Sequence, residues 1–413
     1  MSGTIASVLG EAPVENEEIG KPAGESPKAR RFRPLHAVLL VPLLAITILW
    51  GYRYGSVVVR KAQYAARTPT FSDSSERLSQ TTVVPTLDTP CPAGRNVIWC
   101  SSFQLAWNEA RDEAVGAPLE IPEAVEFAGR LNNARESSSD LAAGSVYAVA
   151  GRLRDGIVGR IGKEMGEQFP SHEPPDFEAS VREPDGILSY AYLTARVPFK
   201  YPFRQVDEGI TFTDSQGTQT QVTGFGLWRA YLRRYKDLRE QVEVLYARLV
   251  EDRPSYEVAE CAIDLCRHSD PYQVIIARVE PRGSLAEVLD HVRKQIADSR
   301  KQPTYESDSQ FGVNDRLKIP DMFWRIDHRF RELIDKRVAN SNPPMPIVEA
   351  FQTIEFRLDR CGAVLESESR LAILSAPRYF NLDRPFLVYV QKRGAEHPFF
   401  VMWVDNAELL VLK

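Results

Sequence analysis

The sequence predicts an α+β chain, with helices mainly in the N-terminal part packed on mixed and antiparallel β-sheets. A buried C-terminal β-hairpin closes it, and one transmembrane helix precedes it. Three observations predict this. A charge-free apolar run lies near residue 40, helical spacing dominates from about 99 to 165, and short apolar or alternating runs bounded by turn residues dominate after about 187. Helices early and strands late favour α+β over alternating α/β.

The chain has 413 residues, 43% hydrophobic and 26% charged, which suits a globular domain with a sizeable core. Its net charge of −5 comes from interspersed signs, so no basic field points to nucleic acid. Five cysteines are too sparse for a disulfide framework. No Asn-x-Ser/Thr acceptor occurs, which fits a bacterial exported protein better than an animal secreted one.

Residues 1–34 are rich in Glu, Pro, Gly, Ser and Lys and are expected to be a disordered cytoplasmic tail. Residues 35–52 are the expected transmembrane helix. Ala37 to Trp50 carries no charge, and Trp50, Tyr52 and Tyr54 lie where an aromatic belt would sit. Lys28, Arg30, Arg31 and Arg33 crowd the N-terminal flank, whereas Arg53, Arg60 and Lys61 follow more loosely. That bias puts the N-terminus in the cytoplasm and the C-terminal domain outside it, in the periplasm or at the cell surface. A buried core helix would have no core to join here. A cleaved signal peptide would need a small-x-small site after the run, and none is evident. Residues 53–95 read as a Ser/Thr/Pro-rich linker, and 96–413 as the folded domain.

Within that domain, Phe103, Trp107 and Ala110 are spaced for a helix over Trp99 to Val115, and Asn132 to Met165 repeats with a period near four. Tyr190 to Val197 alternates as a strand. Gly209 to Val222 reads as a hairpin turning at Ser215-Gln216-Gly217, and Val242 to Val250 and Gln273 to Val279 as further strands. Ser284 is the expected N-cap of a helix over Leu285 to Ala297, with Glu287 at the capping-box position. Phe330 and Leu333 lie at helical spacing. Phe386 to Val390 and Phe399 to Val404 are apolar throughout and joined through Lys392-Arg393-Gly394, which describes a hairpin covered on both faces.

The stretch Leu382-Asp383-Arg384-Pro385-Phe386, followed by Pro398-Phe399-Phe400-Val401-Met402-Trp403-Val404-Asp405-Asn406, resembles the C-terminal signature of serpins. Further resemblances follow in the family's order over about 310 residues. They are Asn96-Val97-Ile98-Trp99-Cys100-Ser101, Tyr192 to Phe203, Val274 to Glu280 with Gly283-Ser284-Leu285, Ile319-Pro320-Asp321-Met322-Phe323, and Glu355 to Gly362. The resemblance implies a serpin-like fold with a surface reactive-type loop, 363–380. It implies a hinge at Gly362, Ala363, Leu365 and Ser367, and a candidate scissile region at Leu374, Ser375, Ala376 and Pro377 within an exposed stretch, Leu371 to Arg378.

Members that trap proteases insert this loop into their own sheet, so inward-facing hinge residues must be small. Ala363, Ser367 and Ser369 are small, but Leu365 is bulky and Arg360 stands where a Glu is usual. Overpacking of that kind costs about 1–3 kcal/mol in a tight core. Phe199 also replaces the usual Trp, and Ala191 the usual Asn. These departures favour a non-inhibitory binding or scaffold role. The alternative is a suicide inhibitor of a serine or cysteine protease using loop 363–380, with that protease as its partner.

No catalytic motif is found: no Gly-x-Ser-x-Gly, His-Glu-x-x-His, phosphate-cradling loop or Cys-x-x-Cys. The expectation is a non-enzymatic chain with no cofactor and no metal. His328 reads as a solvated residue on a helix surface, His397 as part of the hairpin turn, and Glu366 and Glu368 as an outward-facing strand edge. Cys91 with Cys100, and Cys261 with Cys266, are pairs that can bridge, which would leave Cys361 free beside the hinge.

Overall fold

The computed structural model describes residues 71–413, apart from 135–137, 142–143, 171, 173–174, 178–184, 197–198, 229–231, 233–234, 251–255 and 362–376. The chain divides into two units, Met1–Arg60 and Lys61–Lys413, and every described residue lies in the second. The expected tail 1–34 and transmembrane helix 35–52 lie outside the described residues. Among the described residues no helix is long and apolar enough to cross a membrane.

The chain begins with β1 (Phe71–Ser74), β2 (Thr81–Val83), β3 (Asn96–Cys100) and α1 (Ser101–Glu109), which runs into a π-helical turn over Ala110–Val115. Then come α2 (Val125–Asn133), β4 (Val146–Arg152), α3 (Ile157–Gln168), β5 (Ile187–Arg196) and β6 (Arg204–Gln205). The hairpin β7 (Ile210–Thr213) and β8 (Gln219–Val222) precedes β9 (Gly224–Leu227), α4 (Lys236–Gln241), β10 (Glu243–Leu249), β11 (Val258–Asp264) and β12 (Tyr272–Arg278). After α5 (Leu285–Arg300) and α6 (Tyr305–Asp308) follow β13 (Arg316–Pro320), β14 (Met322–Arg329), β15 (Arg337–Val338) and β16 (Met345–Leu358). The last strands are β17 (Tyr379–Asn381), β18 (Phe386–Lys392) and β19 (Phe400–Val404).

Among the described residues there are three larger sheets, beside the two-stranded β7–β8 hairpin. The first runs β1-β14-β16-β5-β4, with β15 pairing β16; the second runs β10-β11-β12-β18-β19-β3-β2; the third runs β17-β13-β9-β6. The expected apolar hairpin is β18 and β19, with Phe386 opposite Val404 and Val390 opposite Phe400. Both of its faces are covered, which is why neither run carries a polar alternation. One face joins the core shared by all three sheets, and the other packs under α5. The first two sheets meet through aromatic rings: Phe356 stacks on Phe400 at 4.6 Å, and Trp324 lies 6.4 Å from Phe400. Gly226 allows β9 to reach β13, because a Cβ there would overlap the Leu317 carbonyl.

The helix α5 is capped as expected, the Ser284 hydroxyl accepting from the Glu287 amide at 3.3 Å. The Glu287 carboxylate returns to the Gly283 amide rather than to that of Ser284. Its buried stripe is Leu285, Val288, Leu289, Val292 and Ile296. Asn96, fully buried, ties β3 to the end of β19. Its side-chain oxygen accepts from the Asp405 and Asn406 amides at 2.8 and 3.0 Å, and its amide donates to Asn406 and Thr81.

Several expectations are corrected. Residues 71–95, assigned to the linker, belong to the folded unit. The edge strand β1 pairs in parallel with β14, and β2 in parallel with β3. Glu76 bonds Arg331 at 2.6 Å, and Glu408 accepts from the Ser79 amide and the Thr81 hydroxyl. These short polar segments are held by ladders and side-chain acceptors that composition does not reveal. The helix expected from Trp99 starts two residues later, because Trp99 and Cys100 complete β3. The period seen over Asn132 to Met165 hides strand β4 between α2 and α3. Phe330 and Leu333 form a buried turn after β14, the Phe330 amide bonding the Ala350 carbonyl on β16.

His328 is therefore on a strand, not a solvated helix. Its Nδ1 lies 2.7 Å from the Ser75 hydroxyl, and its ring meets Phe330 edge-on at 4.4 Å. Burial drives its pKa down from 6.5 to about 4. Between those values the unfolded chain takes up a proton that the folded chain refuses, so stability falls as pH drops through the window. The expected loss approaches about 3 kcal/mol. Urea midpoints measured from about pH 7 to pH 4 should fall, and His328→Gln should remove that part of the slope.

Candidate functional site

The middle of the first sheet is a parallel pair. Ile187 to Arg196 of β5 runs beside Ile347 to Arg357 of β16, with a register irregularity between Ile347 and Glu349. Side chains alternate across the sheet. On the face toward α1, Leu193, Ala195, Ile354 and Phe356 enter the main core. Gln352 on that face donates to the Ser102 hydroxyl at 2.9 Å and to the Cys100 carbonyl at 3.3 Å.

The opposite face of β16 is half polar, and each polar group is paired. Glu349 meets Arg329 at 3.2 Å, Thr353 donates to Asp327 at 2.8 Å, and Glu355 meets His172 at 3.3 Å and Tyr192 at 3.4 Å. Arg357 is fully buried at its side chain and donates twice to Asp359, at 2.8 and 2.9 Å. Its guanidinium also lies over the Phe323 ring at 4.6 Å.

That last pair sets how the chain leaves the sheet. The second Asp359 oxygen accepts from the Cys361 amide at 2.7 Å, which turns the backbone just past β16. Across the end of the β5–β16 seam, the Phe203 amide donates to the Arg360 carbonyl at 2.9 Å. Phe203 is held in turn by Phe199 and Phe225, with ring centroids 5.0 and 5.4 Å away.

The return is built in a similar way. Asp315, fully buried at its side chain, accepts from the Arg378 amide at 2.7 Å and from its guanidinium at 2.7 and 3.0 Å. Arg378 donates further to the Asp308 and Gln310 carbonyls. Both feet of segment 362–376 are thus Arg–Asp clamps, each removing a backbone amide from solvent competition.

Of the expected site residues, Gly362, Ala363, Leu365, Ser367, Leu374, Ser375 and Ala376 lie outside the described residues, as do Glu366 and Glu368. Pro377 is half-buried at the return foot. The expected loop 363–380 is too long at its C-terminal end, because Tyr379–Asn381 is β17, paired in parallel with β13. Arg378, expected in the exposed stretch, keeps only 16% of its side chain exposed because the clamp holds it. The residues that sequence reasoning missed are Arg357, Asp359, Asp315, Arg378 and His172. A signal existed for the first two: Glu355, Arg357 and Asp359 alternate at period two in a stretch bound for a sheet interior.

The five cysteines are free thiols. Cys91 and Cys100 contribute to the cores on opposite faces of the second sheet, so they cannot bridge. Cys266 accepts from the Val274 amide at 3.2 Å, and burial raises the thiol pKa of both Cys261 and Cys266.

No family model matches the chain, and no curated protein matches it. Among solved structures, the chain is similar to native protease nexin-1 with heparin, at 12% identity and a TM-score of 0.45 over 76% of this chain and 92% of that one. It is similar to mouse protein-Z dependent protease inhibitor, at 11% identity and a TM-score of 0.47 over 75% and 91%. It is also similar to the Manduca sexta serine protease inhibitor (Serpin)-12, at 10% identity and a TM-score of 0.43 over 76% and 94%. At these identities and TM-scores none of them bears on what any residue does here.

Asp359→Ala removes the carboxylate that pairs with the buried Arg357, and Asp315→Ala does the same to Arg378. Each substitution should lower stability by about 3 kcal/mol in urea unfolding, the range for breaking a buried pair from one side.

Proposed function

We propose that this chain is a serpin-like, non-enzymatic binding or scaffold module that displays segment 362–376 between two fixed feet. In this reading residues 35–52 tether it to a membrane, with the N-terminus in the cytoplasm and the domain outside. The tether rests on the charge-free run Ala37 to Trp50 and the basic cluster before it.

The observation that carries the non-inhibitory reading is the closed end of the β5–β16 seam. A loop entering the seam from the C-terminal end of β16 would have to break the Phe203–Arg360 backbone bond and re-aim the chain that Asp359 has turned. It would then have to bury Leu365 between strands, where excess volume costs about 1–3 kcal/mol. Fixed feet suit a loop that presents a surface to another protein. Preorganisation lowers the ordering cost of binding.

One observation favours the second reading, a suicide inhibitor of a serine or cysteine protease. The strands β5 and β16 are parallel. An antiparallel strand between them would exchange one parallel ladder for two antiparallel ones, which are slightly more stable per residue.

One experiment separates the two. The full chain is cut within 371–376 by limited proteolysis and its melting temperature is compared with that of the intact chain. The binding-module reading expects an unchanged or lower value and no denaturant-resistant complex with serine or cysteine proteases. A large rise, or such a complex, makes the inhibitor reading the correct one.

A further inference from the structure

We propose that segment 71–77 is a hinged flap over the outer edge of β14, and that His328 makes it pH-sensitive. The flap is shut while the imidazole beneath it is neutral and opens as the imidazole takes up a proton. The inference rests neither on the tether nor on what segment 362–376 does.

The flap and the chain that follows it are held in different ways. Within the flap, β1 pairs with β14 from Phe71 opposite Trp324 to Ser74 opposite Asp327, and a 3-10 turn over Ser75–Arg77 ends it. Past Leu78 the chain is anchored. Glu408 accepts from the Ser79 and Gln80 amides at 2.8 and 3.0 Å and from the Thr81 hydroxyl at 2.6 Å, and the Gln80 carbonyl accepts from the Asn96 amide at 2.8 Å. Leu78 is therefore the hinge. A parallel ladder this short, at a sheet edge, is a weak hold. The flap depends on two side-chain contacts: the Ser75 hydroxyl lies 2.7 Å from His328 Nδ1, and both Glu76 oxygens accept from Arg331 at 2.6 Å. The second is a surface pair, with the Arg331 side chain 71% exposed, and such pairs contribute little. His328 is thus the contact that decides.

The His328 ring sits between Ser75 and the edge of Phe330, which stacks on Phe103 of α1 and meets Phe127 of α2. Glu76, on the flap, is the ionised group whose charge reaches the ring, and it favours the imidazolium. Asp73 pairs with Arg77 within the flap, and Arg329 pairs with Glu349. Arg325 and Asp327 alternate with His328 along β14 and so project from the opposite face. Across the ladder stands Gln352 of β16, neutral and bonded to Ser102 and Cys100. The single attraction from Glu76 does not offset the lost water, and the pKa falls from 6.5 to about 4. Opening the flap returns the ring to water, so the open state takes the proton first. The closed state keeps its full advantage above pH 6.5 and loses it as pH falls toward about 4. With those two values the open-to-closed ratio should rise about twentyfold between pH 7 and pH 5.

The test is hydrogen exchange on the full chain at pH 7 and pH 5, corrected for the chemical effect of pH on exchange. Amides of 71–77 should exchange about twentyfold faster at pH 5 relative to those of the β18–β19 hairpin. His328→Gln keeps a group that can bond Ser75 but does not titrate, and should abolish that rise. Ser75→Ala removes the bond but not the imidazole: flap exchange should be about fivefold faster already at pH 7 and should rise further at pH 5. No relative rise in the wild type, the same rise in His328→Gln, an equal rise in the hairpin, or no further rise in Ser75→Ala overturns the flap.

Discussion

Two parallel strands cannot be joined by a tight turn, so the pairing of β5 with β16 obliges the chain from 197 to 344 to travel elsewhere and return. It uses that length to build β6, β9 and β13 of the third sheet, β10, β11 and β12 of the second, α5 and β14. The β14 strand then re-enters the first sheet antiparallel to β16. The last two strands, together with β3, complete the second sheet against the first through Trp324, Phe356 and Phe400. The central seam is therefore both the innermost feature of the topology and the pairing on which the other layers depend.

That seam is unusual in the side chains it buries. A strand inside a sheet covered on both faces ordinarily needs apolar residues on each, yet β16 buries Glu349, Gln352, Thr353, Glu355 and Arg357. Each is matched to a partner on β14, on β5, on α1, in the chain after α3 or within its own turn. An unmatched polar group in that setting costs more than the bond it would have made. The arrangement thus specifies register strongly, since a slip by one residue would misplace every pair. It also sets the direction in which the chain leaves β16, through the Asp359 bond to the Cys361 amide.

Much of the fold was legible in the residue pattern. The apolar hairpin, the β7–β8 turn at Ser215-Gln216-Gly217, β5, β10, β12 and the Ser284-capped helix follow from periodicity and cap chemistry, which are local. The misread elements were those whose identity is not local. In β1 and β2 the short polar segments are strands only because β14 and β3 offer free edges. In β4 the small alternating residues fit either period until β5 supplies a partner. His328 looked solvated because nothing near it in sequence announces Ser75 from 253 residues away.

By itself the sequence determined the α+β class and the order of the major strands. These are fixed by composition and by periods of two and 3.6, which each segment carries in itself. Only the tertiary structure decided that β5 and β16 lie side by side. It alone brought Arg357 to Asp359 and Asp315 to Arg378 as clamps at the two feet of one segment, and His172 across the seam to Glu355. Those decisions depend on burial: a charge is solvated cheaply wherever it meets water, and it acquires a required partner only when packing takes the water away.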